Sequence, residues 1–310
     1  MKRKLVKQGA ATLMVSLPSK WIKENNLGKG DEVEVEEAGR ELILSTKELA
    51  KGRQEVTIKI SEENKQNIKN ILTHLYRRGF DRIVLENIDV ILLKEIRAIT
   101  NNLLLGFELT QREGKKCIIE NISEPLEQKY EIMLKKVFSI IQETQSIVLN
   151  DFQQGKFQNI EEIEEIRNQQ DKFILFCRRL LIREKNNNLL EWELLTFLMH
   201  IEHSYYYMYS YALENKIKTD KEIIILLKEL NNYFSLFYDA YYKKEIECVN
   251  KINKLKTKYQ FGECFKALEK AKGKEMVIFS YIREIFRLIQ IGTSPILAEI
   301  LEKTNQSISV

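Results

Sequence analysis

Within residues 1–46 two runs alternate apolar and polar side chains with the period of a sheet, yet the segment is too short to enclose a core of its own. Lys2, Arg3, Lys4 and Lys7 precede Gly9-Ala10-Ala11, and Thr12-Leu13-Met14-Val15-Ser16-Leu17-Pro18 then alternates as a strand into a short helix at Ser19-Lys20-Trp21-Ile22. A turn at Leu27-Gly28-Lys29-Gly30-Asp31 leads to Glu32-Val33-Glu34-Val35-Glu36, and Arg40-Glu41-Leu42-Ile43-Leu44 closes the segment. The order is that of a small β-α-β-β unit. Units below about 40 to 60 residues normally need a metal, disulfides or a partner. The segment holds no cysteine, so a second copy of itself is the expected partner.

Charge is concentrated in the same place. Residues 1–30 carry seven basic side chains against one acid, whereas the whole chain is only +4. A localised positive patch on a folded unit is the footprint of polyanion binding. Val6, Leu13, Val15 and Leu17 read as the apolar set of the strands, which puts Lys4, Lys7, Thr12, Met14 and Ser16 near or among the positions of the other face. Bases on a rigid sheet can be aimed at phosphates and groove edges.

The run Lys7 to Trp21, followed by Leu27-Gly28-Lys29-Gly30-Asp31-Glu32-Val33-Glu34-Val35, resembles the AbrB/SpoVT/MazE swapped-hairpin DNA-binding domain. The resemblance implies a homodimer in which two chains interleave hairpins into one β-barrel and present the N-terminal strand face to double-stranded DNA. Carried over position by position, the DNA-facing residues are Arg3, Lys4, Lys7, Gln8, Thr12, Ser16 and Lys20. Ser16 stands where some members place an arginine, which weakens base-specific contact from that strand.

The 310 residues leave room for two or three domains, and only 3 prolines and 12 glycines favour long helices with short connections. No run of 18 apolar residues is present and no apolar signal core follows the first bases, so neither membrane insertion nor secretion is expected. Cys117, Cys177, Cys248 and Cys264 are scattered without a C-x-x-C pair, which suits a reducing, cytoplasmic home.

From Glu55 the pattern becomes strand, helix, strand, helix, strand, strand. Val56 to Ile60 is a strand, and Ser61 with Asn64 gives an N-cap for a helix striped with Ile68, Ile71, Leu72, Leu75 and Tyr76 that ends at Gly79. Arg82 to Glu86 follows, pairing in parallel with the first strand through a crossover. A second helix carries Ile91, Leu92, Ile96, Ile99 and Leu103, and Gly106 leads to strands at Phe107-Glu108-Leu109 and Cys117-Ile118-Ile119. The layer is close in size to a ferredoxin-like module and has no phosphate-binding glycine loop.

Beyond Pro125 apolar residues recur at three and four, starting with Leu126, Tyr130, Met133, Leu134 and Val137. Breaks near Gly155-Lys156, Asn186-Asn187-Asn188, Lys218-Thr219-Asp220, Lys243-Lys244 and Gly273 divide the span into six helices, which fit two three-helix units. Leu189 to Leu213 is apolar over most of its surface, as a central helix would be. Helix number and length resemble PhoU, and the whole order resembles archaeal phosphate uptake regulators that fuse an AbrB-like domain to a PhoU-like one. That resemblance implies helical E/D-x-x-x-D motifs that bind metal. Here the first falls at Arg167 to Asp171, keeping only Asp171, and the second at Glu202 to Tyr206, keeping only Glu202. His200 and His203, three apart, could complete a different site with Asp171 or Glu202, though helical histidines are more often packed or hydrogen-bonded. A metal ion there is the one cofactor considered.

No G-x-S-x-G, H-E-x-x-H or nucleotide loop is present, and Glu161, Glu162, Glu164 and Glu165 read as a solvated face, so no enzyme is expected. The sequence thus describes an α+β multidomain chain: a DNA-binding barrel over 1–46, an α/β module over 54–122 and a PhoU-like helical domain over 125–305. The leading expectation is a dimeric transcriptional regulator of phosphate uptake or homeostasis. The alternative is an adaptor that contacts a phosphate transporter or signalling protein, the barrel serving to dimerise. An antitoxin-like role is a third reading, against which the long folded remainder argues.

Overall fold

A computed structural model describes residues 3–8, 12–38, 41–46, 54–123, 129–183 and 188–308. Gly9-Ala10-Ala11, Arg40, Pro125, Leu126, Asn186 and Asn187 lie outside them. The chain divides into two compact units, 1–54 and 55–310, and has a mixed α+β fold with a mostly helical C-terminal region.

In the first unit, β1 (Val6–Gln8) pairs antiparallel with β2 (Thr12–Met14), α1 (Ser19–Glu24) follows, and β3 (Val33–Ala38) pairs antiparallel with β4 (Glu41–Thr46). The strand read over Thr12 to Pro18 is confined to Thr12–Met14, and Pro18 takes the extended N-cap position of α1. Among the described residues the four strands form two separate two-stranded sheets and no closed barrel. The barrel expected from the resemblance is therefore not made within one chain.

The second unit begins with β5 (Glu55–Lys59), α2 (Ile68–Arg77), β6 (Arg82–Glu86), α3 (Val90–Leu103), β7 (Phe107–Glu113) and β8 (Lys116–Asn121). β5 and β6 pair in parallel, as the intervening helix requires, and β6, β8 and β7 pair antiparallel in the order β5-β6-β8-β7. The expected ferredoxin-like module is corrected here. That fold runs β-α-β-β-α-β, whereas this layer places both helices before its β7–β8 hairpin. Asn64 Oδ1 accepts from the Ser61 amide at 2.8 Å, one half of the expected capping box. α2 stops in a Schellman motif: Gly79 adopts φ +91°, its amide reaches Tyr76 O at 3.0 Å, and the Phe80 amide reaches Leu75 O at 3.4 Å. Asp89 caps α3, accepting from the Leu92 amide at 2.8 Å.

The helices are α4 (Lys129–Gln154), α5 (Ile160–Arg183), α6 (Leu189–Glu214), α7 (Lys221–Lys243), α8 (Ile246–Lys258), α9 (Cys264–Lys270), α10 (Glu275–Ile291) and α11 (Thr293–Ile308). A π-helical turn at Tyr259–Glu263 joins α8 to α9. The breaks read from sequence hold where they are described. The last expected helix, however, divides at Gly292. A Cβ there would come within 3.2 Å of both Phe197 and Phe237, so the glycine lets α10 approach its neighbours. α4, α5 and α6 pack on one another, and α7, α8 and α10 do likewise. Contacts of α6 with α10 and of α4 with α7 fuse the two sets into one continuous core. Phe138 of α4 packs among Phe234, Phe237 and Tyr241 of α7 at ring distances of 5.6–6.0 Å. α6 touches α4, α5, α10 and α11, the central position its apolar surface demands.

The α/β layer is not separate from this bundle. Its core includes Phe176 and Leu180 of α5, and Tyr130 and Met133 of α4 pack against both cores. Beside them Arg179, 1% exposed, donates to Tyr76 O at 2.9 Å, Phe80 O at 2.7 Å and Asp81 Oδ1 at 2.6 Å, while Arg183 also binds Asp81. One buried carboxylate thus holds two guanidinium groups from α5.

Candidate nucleic-acid interface

All seven residues expected to face DNA lie at the surface of the first unit: Arg3, Lys4, Lys7, Gln8, Thr12, Ser16 and Lys20 are exposed. The pairing of β1 with β2 sorts them. Gln8 sits opposite Thr12, Lys7 opposite Leu13, and Val6 opposite Met14. Directly opposed residues share a face and successive ones alternate. Gln8, Thr12, Val6 and Met14 therefore occupy one face, and Lys7 and Leu13 the other.

This corrects the apolar set read from sequence, which placed Val6 with Leu13 and Lys7 with Thr12. The register depends on the connection between the strands, and a one-residue slip exchanges the faces. Gln8 and Thr12 are brought together as a polar pair bordered by Val6 and Met14. Lys4 and Ser16 lie just beyond the strand ends, and Arg3 precedes them. Lys20, on α1, stands 3.7 Å from Glu24, a pair so exposed that it neutralises little. After α1, Asp31 Oδ2 accepts from the Gly28 amide at 2.6 Å and fixes the turn into β3.

No described side chain of this unit is buried. Leu5, Val6, Leu13, Met14, Val15, Val35 and Leu42 are 44–66% exposed. With these seven exposed and none buried, the described residues of this unit hold no core of their own.

The residues considered for metal occupy the second unit, where α4, α5 and α6 meet. His203 Nε2 lies 3.0 Å from Asp171 Oδ1. Glu202 turns into the core, where it accepts from Thr144 Oγ1 at 2.8 Å and leaves Oε2 unpaired. Burial is the main cause that pushes its carboxyl up to about 8. His200 is exposed, and partial desolvation, then His203 and Arg178, hold its imidazole below the usual value. Arg167 places its guanidinium 4.0 Å from the Tyr206 ring centre, so the two departures from the acidic motifs form a cation–π pair. Among the described residues no three His, Cys, Asp or Glu side chains converge as ligands. Asp171, His200, Glu202 and His203 consequently do not form one donor set: Glu202 faces the core, whereas His203 is paired on the flank and His200 looks outward. The residues present do not fit a metal ion.

Sequence reasoning missed the Asp81–Arg179–Arg183 cluster, whose members are about a hundred positions apart with no local signal joining them. No described helix is long and apolar enough to cross a membrane. The comparison with protein families matches residues 6–51 to the family described as "Antidote-toxin recognition MazE, bacterial antitoxin". No curated protein and no solved structure matches the chain. The family match thus covers the strand unit from Val6 on, with Lys7, Gln8, Thr12, Ser16 and Lys20, and does not extend to Arg3, Lys4 or residues 52–310.

Proposed function

We propose that this protein is a non-catalytic, dimeric DNA-binding regulator whose first unit is completed by a second copy. One observation carries the reading: a unit similar to the MazE family exposes its apolar strand residues and its basic residues together, with no buried side chain among those described. Covering Leu5, Leu13, Val15, Val35 and Leu42 against the same residues of a partner supplies the core that one copy lacks. Arg3, Lys4 and Lys7, doubled by the dimer, neutralise backbone phosphates, and the paired Gln8 and Thr12 offer hydrogen-bonding groups to base edges. Ser16 adds a short polar group and no charge.

Titration of duplex DNA at several salt concentrations tests this. Removing the cation from one phosphate lowers the steepness of log affinity against log salt by about 0.9. The Lys4→Ala/Lys7→Ala variant should bind more weakly and with a shallower slope. Parent and variant curves that superimpose would overturn the assignment.

In this reading the helical region receives the signal. Its link to phosphate uptake or homeostasis rests on helix number and length alone, and binding-site mapping in phosphate-replete and phosphate-starved cells tests it. The family description itself favours a second reading, an antitoxin-type regulator whose remainder engages a toxin. Against it, residues 55–310 have two extensive cores of their own. Capture of a toxin that the chain neutralises would favour this second reading. Failure to hold DNA, with recovery of a transporter or signalling partner, would instead favour the adaptor.

A further inference from the structure

Two neighbouring arginines on α5 are both withdrawn from water but are treated differently. Arg179 has a carboxylate and two carbonyls. Arg178, 4% exposed, donates from Nη2 to the neutral Thr196 hydroxyl at 2.7 Å, and its Nε finds no partner. Its guanidinium lies 5.1 Å from the Trp192 ring centre. Arg77, from the end of α2, lies 5.8 Å from the same ring. Among the described residues, no carboxylate stands within ion-pair distance of either. The Thr196 hydroxyl is itself committed to Trp192 O at 3.0 Å, so it brings no negative charge.

An uncompensated buried cation costs several kcal/mol, and proteins normally avoid it. Two guanidinium groups converging on one indole repel each other as well. Burial, then Arg77, push Arg178 down to about 10, while Asp171 acts in the opposite sense. His200, one turn beyond Thr196 on α6, is a further neighbour of the cation and is held toward its neutral form partly by Arg178. Glu284, the acid that acts on His200, is engaged by Arg287 at 2.8 Å.

We infer that Arg178 and Arg77, with Trp192 as their stacking platform, form a binding site for a small oxyanion between α2, α5 and α6. A planar guanidinium held over an aromatic ring presents a fork of N–H donors suited to bidentate pairing with an oxyanion, which lysine could not reproduce. The Thr196 contact holds Arg178 in place, and Arg77 supplies the second charge from the α/β layer. This site does not depend on DNA binding by the first unit.

The test uses the full chain without DNA, with inorganic phosphate and sulfate as probes against chloride at equal ionic strength. Calorimetry should give saturable binding, and emission of Trp192 in a Trp21→Phe background should change with the same midpoint. Arg178→Met, which keeps most of the volume without the charge, should remain folded in chloride and bind at least about tenfold more weakly, the equivalent of 1.4 kcal/mol. Arg178→Lys should fall between the two. Should Arg178→Met fail to fold, Arg77→Gln at the half-buried partner must show the same loss. The inference is overturned if the parent responds to phosphate and sulfate no differently than to chloride, or if the folded Arg178→Met or the Arg77→Gln variant binds like the parent.

Discussion

The two units solve the problem of enclosing a core in opposite ways. Residues 55–310 bury Phe138, Phe152, Phe234, Phe237, Phe279 and Phe286 to 2% exposure or less, and their α/β layer is tied to α5 by Asp81, Arg179 and Arg183. Residues 1–54 leave Leu13 at 59% and Leu42 at 66% exposure. The larger unit is therefore stable by its own packing. In the proposed reading the smaller one depends on association, so its folding and its DNA-binding surface should appear together and vary with concentration.

The sharpest way to separate the units is to damage the larger one alone. Asp81→Ala leaves the buried Arg179 and the half-buried Arg183 without their shared carboxylate, and should cost about 3–5 kcal/mol in urea unfolding followed by helical circular dichroism. Because Asp81 lies in the second unit, DNA binding under native conditions should persist.

A smaller effect distinguishes the two by pH. Burial disfavours the charge of the folded Glu202 carboxyl and pushes it up to about 8, against an ordinary value of 4.5. Between those values the unfolded chain has released a proton that the folded chain retains, so stability falls as pH rises. Glu202→Gln should flatten this decline across pH 4.5 to 8, an outcome checked by denaturation midpoints at several pH values. Removal of the α3 cap by Asp89→Ala should cost about 1 kcal/mol in the same assay. At the bottom of the scale, Glu24→Ala breaks the exposed pair with Lys20 and should change stability by less than about 0.5 kcal/mol.

Local signals made much of the architecture legible. The Gly79 stop of α2, the parallel β5–β6 pair and the central α6 all follow from periodicity and caps within the segments concerned. What escaped was set by pairings between distant residues. The β1–β2 register moved Val6 to the Gln8–Thr12 face, and the order of β7 and β8 replaced a ferredoxin-like connection. The division at Gly292 answers to Phe197 and Phe237, which only packing brings near. The exposed basic residues of the first unit were legible because charge density is local, whereas the dispersal of Asp171, His200, Glu202 and His203 depended on how α6 is rotated in its bundle.

Sedimentation of the full chain with a duplex DNA, beside a Leu13→Glu/Val15→Glu variant, tests the completion of the first unit by a second copy most directly. The parent should sediment as two chains and carry DNA, while the variant should be a single chain that leaves DNA behind yet keeps the helical unfolding transition of the parent. A parent that sediments as one chain and still carries DNA would contradict the account.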